Sequence, residues 1–275
     1  MQKQLLVFTD LDGTLLDHHS YSYEAALPMI NKLEALNIPV IPVTSKTRAE
    51  LLQLRDELKN SHPFIVENGA AVFIPQGYFP EQPEGTEIID DYWVYASSAT
   101  REYWRELLAD LQNKYPDQMT YFSVMGDEGV QKSTGLSAQN AKLANTREFS
   151  EPVMWLGDED QKDAFKKELM YQGVWILEGG RFMHLSDGCD KGKALLWLAD
   201  IYAKYQSDKE VHTIALGDSH NDVAMLDVCD EPIIIRSPTK HPPQLTRHET
   251  YVVSSACGPE GWDQTLTRVL ARFGM

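Results

Sequence analysis

Val7-Phe8-Thr9-Asp10-Leu11-Asp12-Gly13-Thr14 places two carboxylates one residue apart where a short apolar run meets a turn-forming glycine. The run Leu5 to Thr9 has the length and content of a strand buried in a parallel sheet. Asp10 and Asp12 then emerge at its carboxyl end, the edge at which open α/β sheets bind ligands. Like charges this close repel, by about 4 kcal/mol at ~4 Å in an effective dielectric of ~20, and need separate orientations, a shared proton or a cation. A divalent metal resolves the conflict. An exposed acidic turn is the simpler account of a lone Asp-x-Asp. A calcium loop is excluded: counted from Asp10, its glycine position falls on Leu15 and its closing glutamate on Tyr21.

Further along the chain, other strand ends also carry polar groups. The run Ile38 to Val43 ends in Thr44, ahead of Ser45-Lys46-Thr47-Arg48. A hydroxyl and the following backbone N–H there can hold a phosphoryl oxygen at a helix start; equally, Thr44 or Ser45 can simply cap the helix expected over Lys46 to Lys59. Asp190-Lys191-Gly192-Lys193 opens a second periodic segment, with Leu195, Leu198, Ile201, Tyr202 and Tyr205 on one face. The positive end of a helix dipole disfavours lysine by about 0.3–1 kcal/mol, so a nearby anion rationalises Lys191, while Lys193 reads as solvated. Gly217-Asp218-Ser219-His220-Asn221-Asp222 follows the β-like run Thr213 to Leu216 and adds carboxylates. It too fails as a calcium loop, because Val223 would take the glycine position.

The chain has 275 residues, enough for about two domains that each bury a core. A formal charge of −16, from 25 basic and 41 acidic residues, argues against a general nucleic-acid or anionic-membrane surface, but not against an anionic substrate held in one cleft. The three cysteines, Cys189, Cys229 and Cys257, have no paired spacing and leave an odd thiol in any disulfide scheme, which fits a reduced cytoplasm. The apolar run Leu5 to Phe8 is too short for a signal peptide, and no stretch approaches a membrane span, so a soluble cytoplasmic chain is expected.

The first third alternates strand and helix: Leu5 to Thr9, a helix around Glu24 to Leu36 with Ala26, Met29, Ile30 and Leu33 inward, Ile38 to Val43, the second helix, and Phe64 to Glu67. This is a doubly wound α/β pattern. Phe73 to Gly85, rich in proline and glycine, reads as a hairpin followed by a boundary. In the middle third Tyr103, Trp104, Leu107, Leu108 and Leu111 form one helical face, and Val153 to Leu156, Val174 to Leu177 and Phe182 to Leu185 read as strands. Ser137 and Asp158 are placed to cap further helices, and Gly179-Gly180 marks a tight turn. From Asp190 the strand–helix alternation resumes. The division expected is a core over 1–84 and 189–275, interrupted by an α+β cap over 85–188.

The string Asp10-Leu11-Asp12-Gly13-Thr14-Leu15-Leu16-Asp17, with Thr44, Lys191 and Gly217 to Asp222 in order, resembles the four motifs of the haloacid dehalogenase superfamily. A Rossmann-like core interrupted after its third strand by a cap resembles the Cof-type branch of that superfamily. Within the branch, Thr44 to Arg48, Glu67-Asn68-Gly69-Ala70 and Asn145 to Pro152 are similar to mannosyl-3-phosphoglycerate phosphatases.

The resemblance implies phosphomonoester hydrolysis through an aspartyl-phosphate, with Asp10 as nucleophile and Asp12 as general acid/base. It implies Mg²⁺ held by Asp10, Asp12 and Asp218, with Asp222 completing or orienting that shell, and Thr44 and Lys191 on the phosphoryl oxygens. The substrate implied is a phosphorylated sugar or phosphoglycerate conjugate, giving mannosylglycerate and phosphate, with Ser45, Lys46, Glu67, Asn68, Arg147 and Arg181 as candidate binding residues. For Arg147 an i,i+4 surface pair is the plainer alternative. Another sugar phosphatase acting on hexose or sucrose phosphate, a phosphomutase, or a non-catalytic phosphosugar-binding protein are the competing readings. Trp93, Trp104, Trp155 and Trp175 are expected to pack in cores rather than on a sugar, His184 to be a satisfied core residue, and His220 to belong to its turn.

Overall fold

The computed structural model describes residues 3–178, 181–205, 209–247 and 250–275; the Gly179-Gly180 turn lies outside them. The chain divides into two compact units, one running to Thr44, over Asn60–Tyr95 and from Asp190 onward, the other comprising Ser45–Lys59 and Ala96–Cys189.

The first unit contains a five-stranded sheet in the order Val252–Cys257, Glu231–Arg236, Glu210–Gly217, Lys3–Thr9, Val40–Pro42, with every pairing parallel. Leu5, Leu6, Val7 and Phe8 are all buried, as expected of a strand covered on both faces. Ala194, Leu195, Leu198, Ile201 and Tyr202 of the helix Lys191–Tyr205 pack into a cluster with Leu6, Phe8 and Ala215. The helix Gly258–Arg272 buries Trp262, Leu266, Val269 and Leu270. This is the doubly wound Rossmann-like core read from the sequence.

Among the described residues the strand Phe64–Val66 meets that sheet at the parallel bridge Val43–Ile65, and it turns antiparallel to Ala71–Pro75. The second sheet runs Phe64–Val66, Ala71–Pro75, Tyr92–Ala96, Glu87–Ile89. Glu67, expected to end the strand, instead opens a 3-10 turn over Glu67–Gly69. The helix expected from Glu24 starts as a 3-10 turn and becomes α-helical at Leu27, because Pro28 lacks an N–H and suits only the first turn.

The second unit contains the inserted α+β cap. Its antiparallel sheet runs Met119–Tyr121, Pro152–Trp155, Met183–Ser186, Trp175–Glu178. Trp104, Leu108 and Leu111 of the helix Arg101–Lys114, and Phe165 and Leu169 of Glu159–Tyr171, form its core with Val153, Met183 and Leu185. Ser137 and Asp158 do cap their helices, accepting from the backbone N–H groups of Asn140 and Gln161. The helix expected from Lys46 runs over Arg48–Glu57, and its cap is neither Thr44 nor Ser45. Thr47 and Glu50 form a reciprocal capping box, Glu50 N–H to Thr47 Oγ1 at 3.1 Å and Thr47 N–H to Glu50 Oε2 at 2.8 Å.

Trp93 and Trp104 lie in cores and Trp155 packs partly buried against the cap core, but Trp175 is 66% exposed, a correction to the expected core position. On this edge strand Ile176 faces the cap helices, so the period-2 alternation turns Trp175 the other way. All three cysteines are free thiols. Among the described residues no helix is long and apolar enough to cross a membrane.

Candidate active site

Strand register brings the first and fourth motifs together. Thr9 pairs with Leu216, so Asp10 emerges beside Gly217 and Asp218, and its N–H donates to Leu216 C=O at 2.9 Å. Val43 N–H donates to Thr9 C=O at 2.8 Å, which sets Thr44 at the neighbouring strand end. The chain must then turn sharply. Gly13 sits at φ +85°, and a Cβ there would lie 2.8 Å from Asp218 Oδ2, so only glycine admits the carboxylate this close.

Asp10, Asp218 and Asp222 are buried and can each offer one carboxylate oxygen within 4.8 Å of the others. Lys191 Nζ donates to Asp10 Oδ1 and Asp222 Oδ1, both at 2.7 Å. Asp222 Oδ2 accepts from the backbone N–H groups of Asp218 and Ser219 at 3.1 and 3.0 Å, so both its oxygens are engaged. Loss of hydration, then the Asp222 charge, push the Asp10 carboxyl up to about 7 against the opposing pull of Lys191. The same two causes raise Asp218. Burial alone would lower the Lys191 ammonium, but the Asp10 and Asp222 carboxylates outweigh it and hold it above its usual value. Three carboxylates against one ammonium leave negative charge in a buried pocket of hard oxygen donors, which is the chemistry of a divalent-cation site.

The turn Glu67–Gly69 ties the remaining motifs to one another. Asn68 N–H donates to Thr44 C=O at 2.9 Å, and Asn68 Oδ1 accepts from Asn221 Nδ2 at 3.3 Å. A Cβ on Gly69 (φ +94°) would lie 2.2 Å from the Asp190 carbonyl oxygen, so the backbone just before Lys191 passes directly against this glycine. Glu67 is buried and Thr44 is 1% exposed, while Asp12 is half-buried.

The other expected site residues belong to the cap unit. Arg147 is no surface pair: it is buried, with Nε donating to Ser150 Oγ at 2.8 Å and Nη2 to Ser45 C=O at 3.0 Å. Glu148 takes Arg48 bidentately at 3.0 and 2.9 Å, and buried Glu151 accepts from Arg101 Nε and Ser123 Oγ, both at 2.6 Å. Lys46 and Ser45 are half-buried, and exposed Arg181 donates to Ser133 C=O. His184 is half-buried; lost hydration and then the Arg147 guanidinium push its imidazole down to about 3, so it is neutral at physiological pH. His220 lies in the 3-10 turn His220–Asp222.

A haloacid dehalogenase-like hydrolase family model matches residues 7–253, spanning the motif-bearing strands of the core and the whole cap. The chain belongs to the haloacid dehalogenase-like hydrolases. With the buried aspartate cluster at the strand ends, this membership makes it a phosphoric monoester hydrolase. Glucosyl-3-phosphoglycerate/mannosyl-3-phosphoglycerate phosphatases from Methanococcoides burtonii and Persephonella marina are 39% and 34% identical to it over 268 and 271 residues, covering 97% of each chain. A solved haloacid dehalogenase-like hydrolase from Bacteroides thetaiotaomicron shares the fold at a TM-score of 0.67 and 15% identity, covering 98% of this chain and 100% of that one.

Two supports of this hydrolase's site escaped the sequence reading. Trp262 Nε1 donates to Thr9 Oγ1 at 3.0 Å, and Thr9 Oγ1 donates to Asp10 C=O at 2.7 Å, so a helix near the C-terminus steadies the backbone that carries Asp10. Nothing in the sequence links positions so far apart, although a hydroxyl directly before Asp10 was visible. Trp262→Phe should keep the packing, cost about 0.5–1.5 kcal/mol in urea denaturation, and lower turnover several-fold at unchanged KM. Full turnover in a destabilised variant would reduce the contact to packing.

Proposed function

We propose that the chain is a Mg²⁺-dependent glycosyl-3-phosphoglycerate phosphatase, cleaving mannosyl-3-phosphoglycerate to mannosylglycerate and phosphate. The observation that carries this reading is the 39% identity to a glucosyl-3-phosphoglycerate/mannosyl-3-phosphoglycerate phosphatase over 97% of both chains, which includes the cap as well as the motifs.

Asp10 attacks phosphorus and forms an acyl phosphate as the ester P–O bond breaks, and Asp12 gives the departing alkoxide its proton. Asp12, now a carboxylate, takes a proton from water, whose oxygen attacks the aspartyl-phosphate and releases phosphate with Asp10 restored. Splitting the reaction in this way divides a very slow hydrolysis into two displacements. Asp10, Asp218 and the Asp12 carbonyl would hold Mg²⁺, which would supply positive charge to offset the carboxylates and the phosphoryl oxygens. Asp222, with one oxygen on Lys191 and the other on backbone N–H groups, orients the shell, which agrees with its engaged geometry. Thr44 and Lys191 hold the remaining phosphoryl oxygens. Glu67 and Asn68 act through the turn that joins Thr44 to Asn221. Arg147 recognises the glycerate carboxylate through its guanidinium, and Ser45, Lys46 and Arg181 contribute polar groups to the same selection.

The test is phosphate release from mannosyl- and glucosyl-3-phosphoglycerate, sucrose 6-phosphate and hexose phosphates, with Mg²⁺ or EDTA. Wild type should favour the glycosyl phosphoglycerates at least about tenfold in kcat/KM, and Arg147→Ala should erase most of that margin, since a charge-assisted contact contributes about 1.5–3 kcal/mol. Equal rates on hexose phosphates would leave a general sugar phosphatase. Isomerised product without free phosphate would identify a mutase.

A further inference from the structure

A second recess opens at the other end of the parallel sheet. It begins at Gln4, near the start of the strand whose far end delivers Asp10, so six strand residues, about 20 Å, separate the two places. Its volume is about 480 Å³, within the usual span for small-molecule pockets. Tyr78, Phe79 and Tyr205, with Pro39 and Pro80, give it an aromatic and aliphatic wall, and the Phe79 and Tyr205 rings lie nearly parallel with centroids 5.0 Å apart. Glu34, Asn37, His62 and Lys209 add the polar groups.

Those polar groups are held in place from within the fold. The His62 ring meets Glu34 Oε2 through Nε2 at 2.9 Å and the Tyr78 hydroxyl through Nδ1 at 2.8 Å. The Tyr78 hydroxyl in turn meets that of Tyr202 at 2.8 Å. Tyr202 is fully buried, and loss of hydration holds its phenol well above its ordinary value, so it stays protonated and anchors the chain of hydrogen bonds. The imidazole and phenol thus spend their polar atoms within the fold and fix the Glu34 carboxylate at the recess through one oxygen, the preorganisation that makes weak polar contacts selective.

The charge balance separates this recess from the catalytic one. Among its described lining residues there is one carboxylate, one ammonium and no guanidinium. One ammonium against one carboxylate leaves no net positive charge to hold a phosphate. A ring with apolar C–H faces and hydroxyls that both donate and accept matches the aromatic wall, the Glu34 carboxylate and the amides of Asn37 and Gln4 together. We propose that this recess is a binding site for a neutral pyranose, separate from the site of phosphoryl transfer. It takes the glycoside as an effector or reservoir ligand and does not require the substrate assignment above to hold.

Calorimetric titration of the protein with methyl α-mannopyranoside and methyl α-glucopyranoside tests it. At least one should bind saturably in the millimolar range, and inorganic phosphate should not compete. Glu34→Gln, at a largely exposed position that leaves folding intact, should weaken binding about tenfold, the scale of one charge-assisted hydrogen bond, with p-nitrophenyl phosphate turnover unchanged. Tyr205→Leu should do likewise, and Asp10→Asn should bind the glycoside as well as wild type. No saturable heat from either glycoside overturns the proposal. So does binding that phosphate displaces, or that disappears in Asp10→Asn and survives in Glu34→Gln.

Discussion

Asp10→Asn is expected to abolish phosphate release, on the order of 10³-fold or more, while making the metal-free protein more stable above neutral pH. The first effect follows from its proposed place as nucleophile, because a neutral amide cannot form the acyl phosphate. The second follows from burial. Asp10 is 6% exposed and its carboxyl is raised to about 7, against an unfolded value near 3.8. A group raised in this way holds its proton more tightly in the folded state, so its contribution is fully present below the unfolded value and is lost as pH climbs towards 7. Asn carries no such penalty and still offers Lys191 an acceptor. In EDTA, Asp10→Asn should therefore melt several degrees above wild type at pH 8, since each kcal/mol moves Tm by roughly 2–4 °C in a chain of this size, and the gap should close near pH 4. Melting curves at the two pH values decide it. A variant less stable than wild type at pH 8 would mean that the Lys191 ion pair outweighs the burial cost, and turnover within a few-fold of wild type would remove the nucleophile assignment.

The core was legible because its strands carry the signal that parallel sheets impose: short, continuous apolar runs that end in Asp10, Thr44 and Asp218. Lys191 was legible for a different reason, as a lysine at an unfavourable helix start, and the two carboxylates it meets are the anions that position called for. The cap was read less completely. The helix Phe122–Thr134 went unseen because Gly126, at φ +62°, breaks it and Gly129 dilutes its apolar face. Met119–Tyr121 is only three residues long, too short for an alternation to register. The capping residue of Arg48–Glu57 was misplaced among four neighbouring hydroxyl or polar side chains, where only the reciprocal bond to Glu50 identifies Thr47. Asn145 to Pro152 read as similar to mannosyl-3-phosphoglycerate phosphatases, with Arg147 as its candidate binding residue. Much of its polarity is spent inside the cap, where Phe149 C=O accepts from Trp104 Nε1 and Glu151 from Arg101. A distinctive polar string marks a built structure as readily as a bound ligand, and one sequence cannot tell them apart.

Lys191→Met should be the most destabilising single change in the core that preserves side-chain volume. The ammonium lies 2.7 Å from both Asp10 and Asp222, and all three groups are buried. Removing one partner of a buried ion pair costs about 3–5 kcal/mol, because the charge left behind has neither water nor a counterion. Here two carboxylates are left. In EDTA at pH 7.5 the urea midpoint should fall accordingly, and the loss should shrink at pH 5, where the Asp10 carboxyl, already raised by burial and raised further without the lysine, takes up a proton. Mg²⁺ should recover part of the stability by supplying positive charge to the same oxygens. It should not restore turnover, which needs a cation on the phosphoryl group as well, and a deficit of at least about 10²-fold is expected. The double variant Asp10→Asn/Lys191→Met isolates the interaction itself. If Lys191 acts through Asp10, the second substitution costs less in the Asn background than in wild type, by about 1–3 kcal/mol for residues in direct contact. Additive costs would place the role of Lys191 on Asp222 alone, and the lysine would then organise the fourth motif rather than the nucleophile.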